Sequence, residues 1–161
     1  MKSKKFYLDG ENFDSLKEGS LEIAKTVNQL LEEFNTSEAE STYVFINDEE
    51  SHVDKNKTLE EINHDEKVDI FCHRCKKIDI KVFYQNRTYD LIVSSNLKGK
   101  IILKKALKEF EIPNSESVKL KLVANSANGP TILDNDRIGK FVSYPDCSIN
   151  IYLVSKDNWQ G

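Results

Sequence analysis

Two stretches of this chain carry the same order of hydrophobic and polar positions. The first opens with Phe6-Tyr7-Leu8, reaches Asp9-Gly10 and continues through polar residues around Phe13 and Leu16. Asp-Gly after an apolar run predicts a tight type I′ hairpin turn, because both central residues need positive φ, which Gly adopts freely and Asp tolerates. After Gly19, Ser20 can cap a helix whose face is marked by Ile23, Val27, Leu30, Leu31 and Phe34 at helical spacing. A polar loop follows, then a short strand at Tyr43-Val44-Phe45-Ile46, a charged turn region, and a last strand with Val68, Ile70 and Cys72 on one face. The order is ββαββ.

The second stretch repeats it. Ile78, Ile80 and Val82 alternate with Asp79 and Lys81, and after Gln85-Asn86 the chain returns through Tyr89, Leu91 and Val93. Ile102, Leu103, Ala106, Leu107 and Phe110 mark a helix face, which Pro113 stops. Val118, Leu120 and Leu122 alternate next; Asn128-Gly129-Pro130 predicts a turn, Ile132-Leu133 a short strand, and Ile149, Ile151 and Leu153 a closing strand.

A single helix after a hairpin buries its apolar stripe by lying across one face of a mixed sheet, with the closing strand inside the sheet beside the first. That arrangement is a β-grasp. The expected fold class is therefore α+β, with two tandem β-grasp domains at 1–75 and 76–154, a short, partly flexible connector at 73–77, and a mobile polar tail at 155–161. A single α+β domain with two helices on one larger sheet is the competing arrangement.

Local sequence adds to the pattern. Thr58-Leu59-Glu60-Glu61-Ile62-Asn63, followed by Val68-Asp69-Ile70, resembles the segment of ubiquitin that leads into its last strand. The resemblance implies that Thr58 begins a short helical turn and that Leu59 enters the core. Glu111-Ile112-Pro113 is similar to ubiquitin's helix exit, and Arg137-Ile138 through Ile149-Asn150-Ile151 to its closing segment. As a ubiquitin-like pair, the chain resembles the two-domain ubiquitin-like modifiers, interferon-induced in vertebrates and encoded in bacterial antiphage operons. The resemblance implies a protein modifier in antiviral defence, activated at a C-terminal glycine and joined to targets through an isopeptide bond. Its implied partners are an activating enzyme, a conjugating enzyme, a deconjugating metalloprotease and a target such as a phage structural protein. Trp159-Gln160-Gly161 departs from the family's Arg-Gly-Gly ending, which implies a dedicated activating enzyme that reads Trp159 and Gln160.

The chemistry of the tail fits that expectation. Seven residues from Ser155 to Gly161 extend over about 23 Å, enough to carry a carboxylate into a partner's channel. Gly161 has no Cβ to obstruct attack on a phosphate or transfer to a thiolate. Gly161 is accordingly the expected conjugation residue, and Trp159 and Gln160 the expected tail-recognition residues.

Composition narrows the class further. The 161 residues are 39% hydrophobic, enough for real cores. The net charge of -4 conceals a division: residues 1–75 hold 9 Lys and Arg against 18 Asp and Glu, and residues 76–161 hold 14 against 9. No apolar run approaches the roughly 20 residues of a membrane helix, and MKSKKFYLDG carries no apolar signal region, so a cytoplasmic protein without membrane contact is expected. Three cysteines, Cys72, Cys75 and Cys147, are too few and odd in number for a disulfide framework, and free thiols are expected.

Other clusters carry weaker signals. Cys72-His73-Arg74-Cys75 places three zinc-type ligands within four residues, but a structural site needs four, and no fourth recurs at suitable spacing. Lys100, Lys104 and Lys108 recur every four residues opposite the apolar face of their helix, as a solvated face or as a docking surface for an acidic partner. Nucleic acid is a poorer match, since no aromatic platform or base-reading motif accompanies the charge. Asp48-Glu49-Glu50 and Asp65-Glu66 read as loop charges. With no phosphate-binding glycine loop and no nucleophile elbow, neither an enzyme nor a cofactor or metal site is expected. A noncovalent tandem adaptor is the alternative function, and a sulfur carrier using a terminal thiocarboxylate a third.

Overall fold

A computed structural model describes residues 3–11, 13, 16–22, 24–33, 41–62 and 66–157. The chain divides into two compact units, Met1–Lys76 and Lys77–Gly161.

In the first unit, β1 (Ser3–Gly10) and β2 (Lys17–Glu22) form the hairpin, α1 (Val27–Glu33) follows, and β3 (Tyr43–Ile46), α2 (Leu59–Ile62) and β4 (Lys67–His73) complete it. The sheet order is β2-β1-β4-β3. β1 pairs antiparallel with β2 but parallel with β4. Parallel neighbours need a long crossover, which the helix-bearing segment supplies. Phe6 and Leu8 of β1, with Val68, Ile70 and Cys72 of β4, form a core with Val27, Leu30 and Leu31 of α1. Leu59 joins that core, and the Glu61 N–H donates to Thr58 Oγ1 at 3.2 Å, so Thr58 opens the short turn as the ubiquitin resemblance implies.

Two local expectations change. Asp9-Gly10 is not the hairpin turn: β1 runs through Gly10, which lies opposite Cys72 of β4. A Cβ on Gly10 would stand 2.2 Å from the Cys72 carbonyl oxygen, so this glycine answers a close backbone approach rather than a turn. Ser20 does not cap the helix either, since it pairs with Lys5 inside the hairpin. Thr26 does. The Gln29 N–H donates to Thr26 Oγ1 at 3.2 Å, and the Thr26 N–H donates to Gln29 Oε1 at 2.9 Å, a reciprocal capping box. Ile23 and Phe34, which the periodicity assigned to this helix, lie outside the described residues.

The second unit contains β5 (Lys77–Tyr84), β6 (Arg87–Ser94), α3 (Gly99–Glu109), α4 (Asn114–Ser117), β7 (Leu120–Ala124), β8 (Thr131–Ile132), a 3-10 turn at Ile138–Phe141 and β9 (Ser148–Ser155). Its sheet order is β6-β5-β9-β7-β8. β5 is antiparallel to β6 and parallel to β9, which pairs on its other side with β7. The β5–β6 turn falls at Gln85-Asn86, as the pattern predicts, with Gln85 at φ 55°. Ile102 and Ala106 of α3 and Phe110 at its C-cap are buried, as are the alternating Ile78, Ile80 and Val82 of β5 and Ile149, Ile151 and Leu153 of β9. Val118 is 65% exposed and precedes β7 instead of joining its alternation.

The exit of α3 uses a Schellman arrangement. The Glu111 N–H donates to the Lys108 carbonyl at 3.1 Å and the Ile112 N–H to the Leu107 carbonyl at 3.0 Å. Glu111 takes φ 54°, the left-handed position that glycine usually fills.

In both units the helix follows a hairpin and the last strand lies parallel beside the first. The chain is thus α+β with two β-grasp units, the second carrying β8 as an additional edge strand. Among the described residues no helix is long and apolar enough to cross a membrane.

Candidate functional site

The second unit presents a groove between the outer strand β6 and helix α3. The start of α3 is fixed by the loop before the 3-10 turn: the Gly99 N–H donates to the Asp136 carbonyl at 2.8 Å, and the Lys100 N–H to the Asp134 carbonyl at 3.0 Å. A Cβ on Gly99 would stand 2.4 Å from the Leu133 carbonyl oxygen, so only glycine lets these segments meet. At the other end of the helix, the Arg87 guanidinium lies 5.4 Å from the Tyr84 ring centre and 5.2 Å from that of Phe110, and donates to the Phe110 carbonyl at 3.1 Å. Tyr89 meets the Phe110 ring edge-on, with centres 6.3 Å apart. β6 is therefore tied to the end of α3 at Phe110, while the start of the helix is held by the Leu133–Asp136 loop.

That space measures about 790 Å³ and is lined by Tyr89, Ile101, Lys104, Lys105, Lys108, Glu109 and Glu111. Lys100, Lys104 and Lys108 are all exposed on α3. The structure brings Lys104 and Lys108 together with Lys105 along the groove, while Lys100 is not part of its lining. Tyr89 and Ile101 escaped the sequence reading as groove residues. Their signal is spatial: Tyr89 reaches the groove only because β6 is the strand beside α3.

A second concavity, of about 620 Å³, lies on the same unit against β5, β6 and the start of β9. Ile92, 67% exposed, stands on its wall, and Lys81 faces Asp90 there at 4.0 Å. On exposed side chains such a pair contributes little.

The segment Cys72-His73-Arg74-Cys75 does not converge on a point. Cys72 faces the core of the first unit, where burial pushes its thiol up to about 12, with a smaller upward effect from Asp9 opposed by Lys55. His73, next along the strand, stacks on Phe71, and its Nδ1 accepts the Cys75 N–H at 2.8 Å. Cys75 and Cys147 are disulfide-bonded, so the expectation of free thiols holds for Cys72 and fails for the other two. Among the described residues no group of three or more His, Cys, Asp or Glu is placed to hold a metal ion. Trp159, Gln160 and Gly161 lie outside the described residues.

No protein-family model matches this chain, and no curated protein matches it. Solved structures do. The ubiquitin of Caldiarchaeum subterraneum is 15% identical over 53% of this chain and 99% of its own length, with a TM-score of 0.40. The ubiquitin-like domain of an Arabidopsis thaliana protein is 13% identical over 52% of this chain and 82% of its own, with a TM-score of 0.41. A designed protein based on ubiquitin is 14% identical over 53% of this chain and 96% of its own, with a TM-score of 0.40. It is the strand order and the parallel pairing of first and last strands that make each unit a β-grasp.

Proposed function

We propose that this chain is a ubiquitin-like protein modifier in bacterial antiviral defence, activated at the carboxylate of Gly161 and joined to target amines through an isopeptide bond. The observation that carries the reading is the position of β9 between β5 and β7. A closing strand held on both sides gives the six residues after Ser155 a fixed base, from which they can extend about 20 Å. In the proposed sequence the Gly161 carboxylate attacks the α-phosphate of ATP and releases pyrophosphate. The acyl group then passes to an activating-enzyme cysteine with loss of AMP, moves to a conjugating enzyme, and is taken by a lysine amine with release of the thiol. The chain itself is no enzyme in this scheme. It supplies a reactive terminus and two recognition surfaces, Trp159 and Gln160 select the activating enzyme, and a metalloprotease reverses the linkage. Bulk added to a phage structural protein in the cytoplasm would then obstruct assembly.

Reconstitution with the activating and conjugating enzymes of the same locus plus ATP tests this. The full chain should form a thioester that reducing agent cleaves, and a chain lacking Gly161 should not. The two open concavities of the second unit favour one other reading, a noncovalent adaptor. Partner binding by the full chain without any thioester would replace the modifier with that adaptor.

A further inference from the structure

We propose that Trp159 packs on Val118, the exposed apolar residue that closes α4, and so holds the C-terminal segment against the second unit. The inference goes beyond the modifier reading and stands whether or not Gly161 is conjugated.

Backbone pairing places the base of that segment. β9 runs antiparallel to β7, with Ser155 opposite Leu120. One step further along, the Lys156 N–H donates to the Lys119 carbonyl at 2.7 Å. Val118 and Asp157 are therefore the next residues on the two sides. There the ladder stops, because the Asp157 N–H turns back to Ser155 Oγ at 3.2 Å and Val118 caps α4 at φ -66° and ψ -16°. The chain thus leaves the sheet beside Val118.

Val118 is 65% exposed, and α4 does nothing to cover it. None of the four residues of α4 is buried, and the Ser117 hydroxyl donates within the same turn, to the Asn114 carbonyl at 3.0 Å. Removing such an apolar surface from water is favourable. The surrounding charge says what kind of group covers it. Glu116 and Lys119 flank Val118 on one side of the pairing, Lys156 and Asp157 on the other, and all four are exposed. Two charges of each sign steer neither an acidic nor a basic partner, and they suit an uncharged, apolar occupant.

Trp159 has that chemistry and is within reach. It is the one large apolar residue between Lys156 and Gly161. Two residues separate it from Asp157, a span of at most about 7 Å, and aromatic side chains bridge diagonal neighbours at about that distance across a strand pair. The indole face also takes an ammonium group such as that of Lys119 or Lys156 better than any other aromatic ring does. A partner that draws the segment out must first take the indole from Val118, so reading Trp159 and freeing the residues beyond it become one event.

Trp159 is the only tryptophan in the chain, so intrinsic fluorescence reports on it directly. The test compares the full chain with a blocked peptide of residues 155–161, and it needs neither enzyme nor ATP, so its failure is distinct from a failure of conjugation. The full chain should emit at shorter wavelength than the peptide, and acrylamide should quench it about twofold or more less steeply, as burial against a valine-sized surface requires. Val118→Ser should return both readings to those of the peptide, and Val118→Leu should preserve them, with hydrogen exchange along β7 and β9 checking that each variant is folded. In the unaltered chain, nuclear Overhauser contacts should join the indole to the Val118 methyl groups, an arm that depends on no variant. The proposal is overturned by emission and quenching equal to those of the peptide, by a shift that survives Val118→Ser, by absence of the indole–methyl contacts, or by a shift that dilution removes, which would assign the occupant to a second copy.

Discussion

Gly10 shows how far a local signal reaches. Asp-Gly is the strongest short hairpin cue in the sequence, yet the residue that decides its conformation is Cys72, 62 positions later, whose carbonyl oxygen occupies the space a Cβ would need. Gly10→Ala should therefore destabilise the first unit by about 1–3 kcal/mol, readable in denaturant titration, as its neighbours move to relieve the clash. Cys72 itself carries a pH dependence. Its thiol ionises near 9.0 when unfolded and near 12 when folded. Above pH 9 the unfolded chain loses a proton that the folded chain keeps, so stability falls as pH rises from about 9 toward 12 and is unaffected by this group below 9. Cys72→Ser should flatten that alkaline loss in pH-dependent unfolding. Native chain should also leave the Cys72 thiol unalkylated at pH 8 until denaturant is added.

Among the elements, those with long, regular periodicity were legible, as were short ones marked by an apolar run or a turn signal, such as β3 at Tyr43–Ile46; two four-residue helical turns were not. The apolar spacing from Ile102 to Phe110 identifies α3, and alternation identifies β5, β6 and β9. α4 and the 3-10 turn at Ile138–Phe141 span four residues each, too few for any period to register. α1 was recognised, but its start was misplaced because Ser20 and Thr26 are both acceptable caps in isolation. The reciprocal Thr26–Gln29 bonds decide between them, and Thr26→Ala should cost about 1 kcal/mol in thermal unfolding. Leu59→Ala should cost about 2–5 kcal/mol, because it empties a fully enclosed site beneath α1. The opposite sign is expected at the exit of α3, where Glu111→Gly relieves a side chain held at φ 54° and should raise stability by about 0.5–1 kcal/mol. The groove was half legible. Lys104 and Lys108 follow from helical spacing, whereas Tyr89 and Ile101 join them only through the packing of α3 on β6.

Across the whole molecule, the repeat of one hydrophobic order and the change in charge sign both pointed to two units. Sequence reading placed a short connector at 73–77. His73 ends β4 and Lys77 starts β5, while Arg74 donates through Nε to Glu11 Oε1 at 2.8 Å and Cys75 is buried. Trypsin should accordingly leave the Arg74-Cys75 bond intact in native chain and cut it after Glu11→Ala, which mass spectrometry of the fragments would register. The cysteine count misled. An odd number suggested thiols throughout, but parity is uninformative once one cysteine, Cys72, is sealed in a core.

The parallel pairing of first and last strands has a mechanical consequence. Tension entering through the C-terminus pulls β9 along its own axis, against β5 on one side and β7 on the other. With β5 held from its N-terminal end, the β5–β9 ladder is loaded in shear, its hydrogen bonds sharing the force instead of opening one after another as in a peeled hairpin. The first unit repeats the geometry with β1 and β4. Each unit is thus built to resist being drawn out by its ends, the direction in which an unfolding motor or a threaded pore would pull.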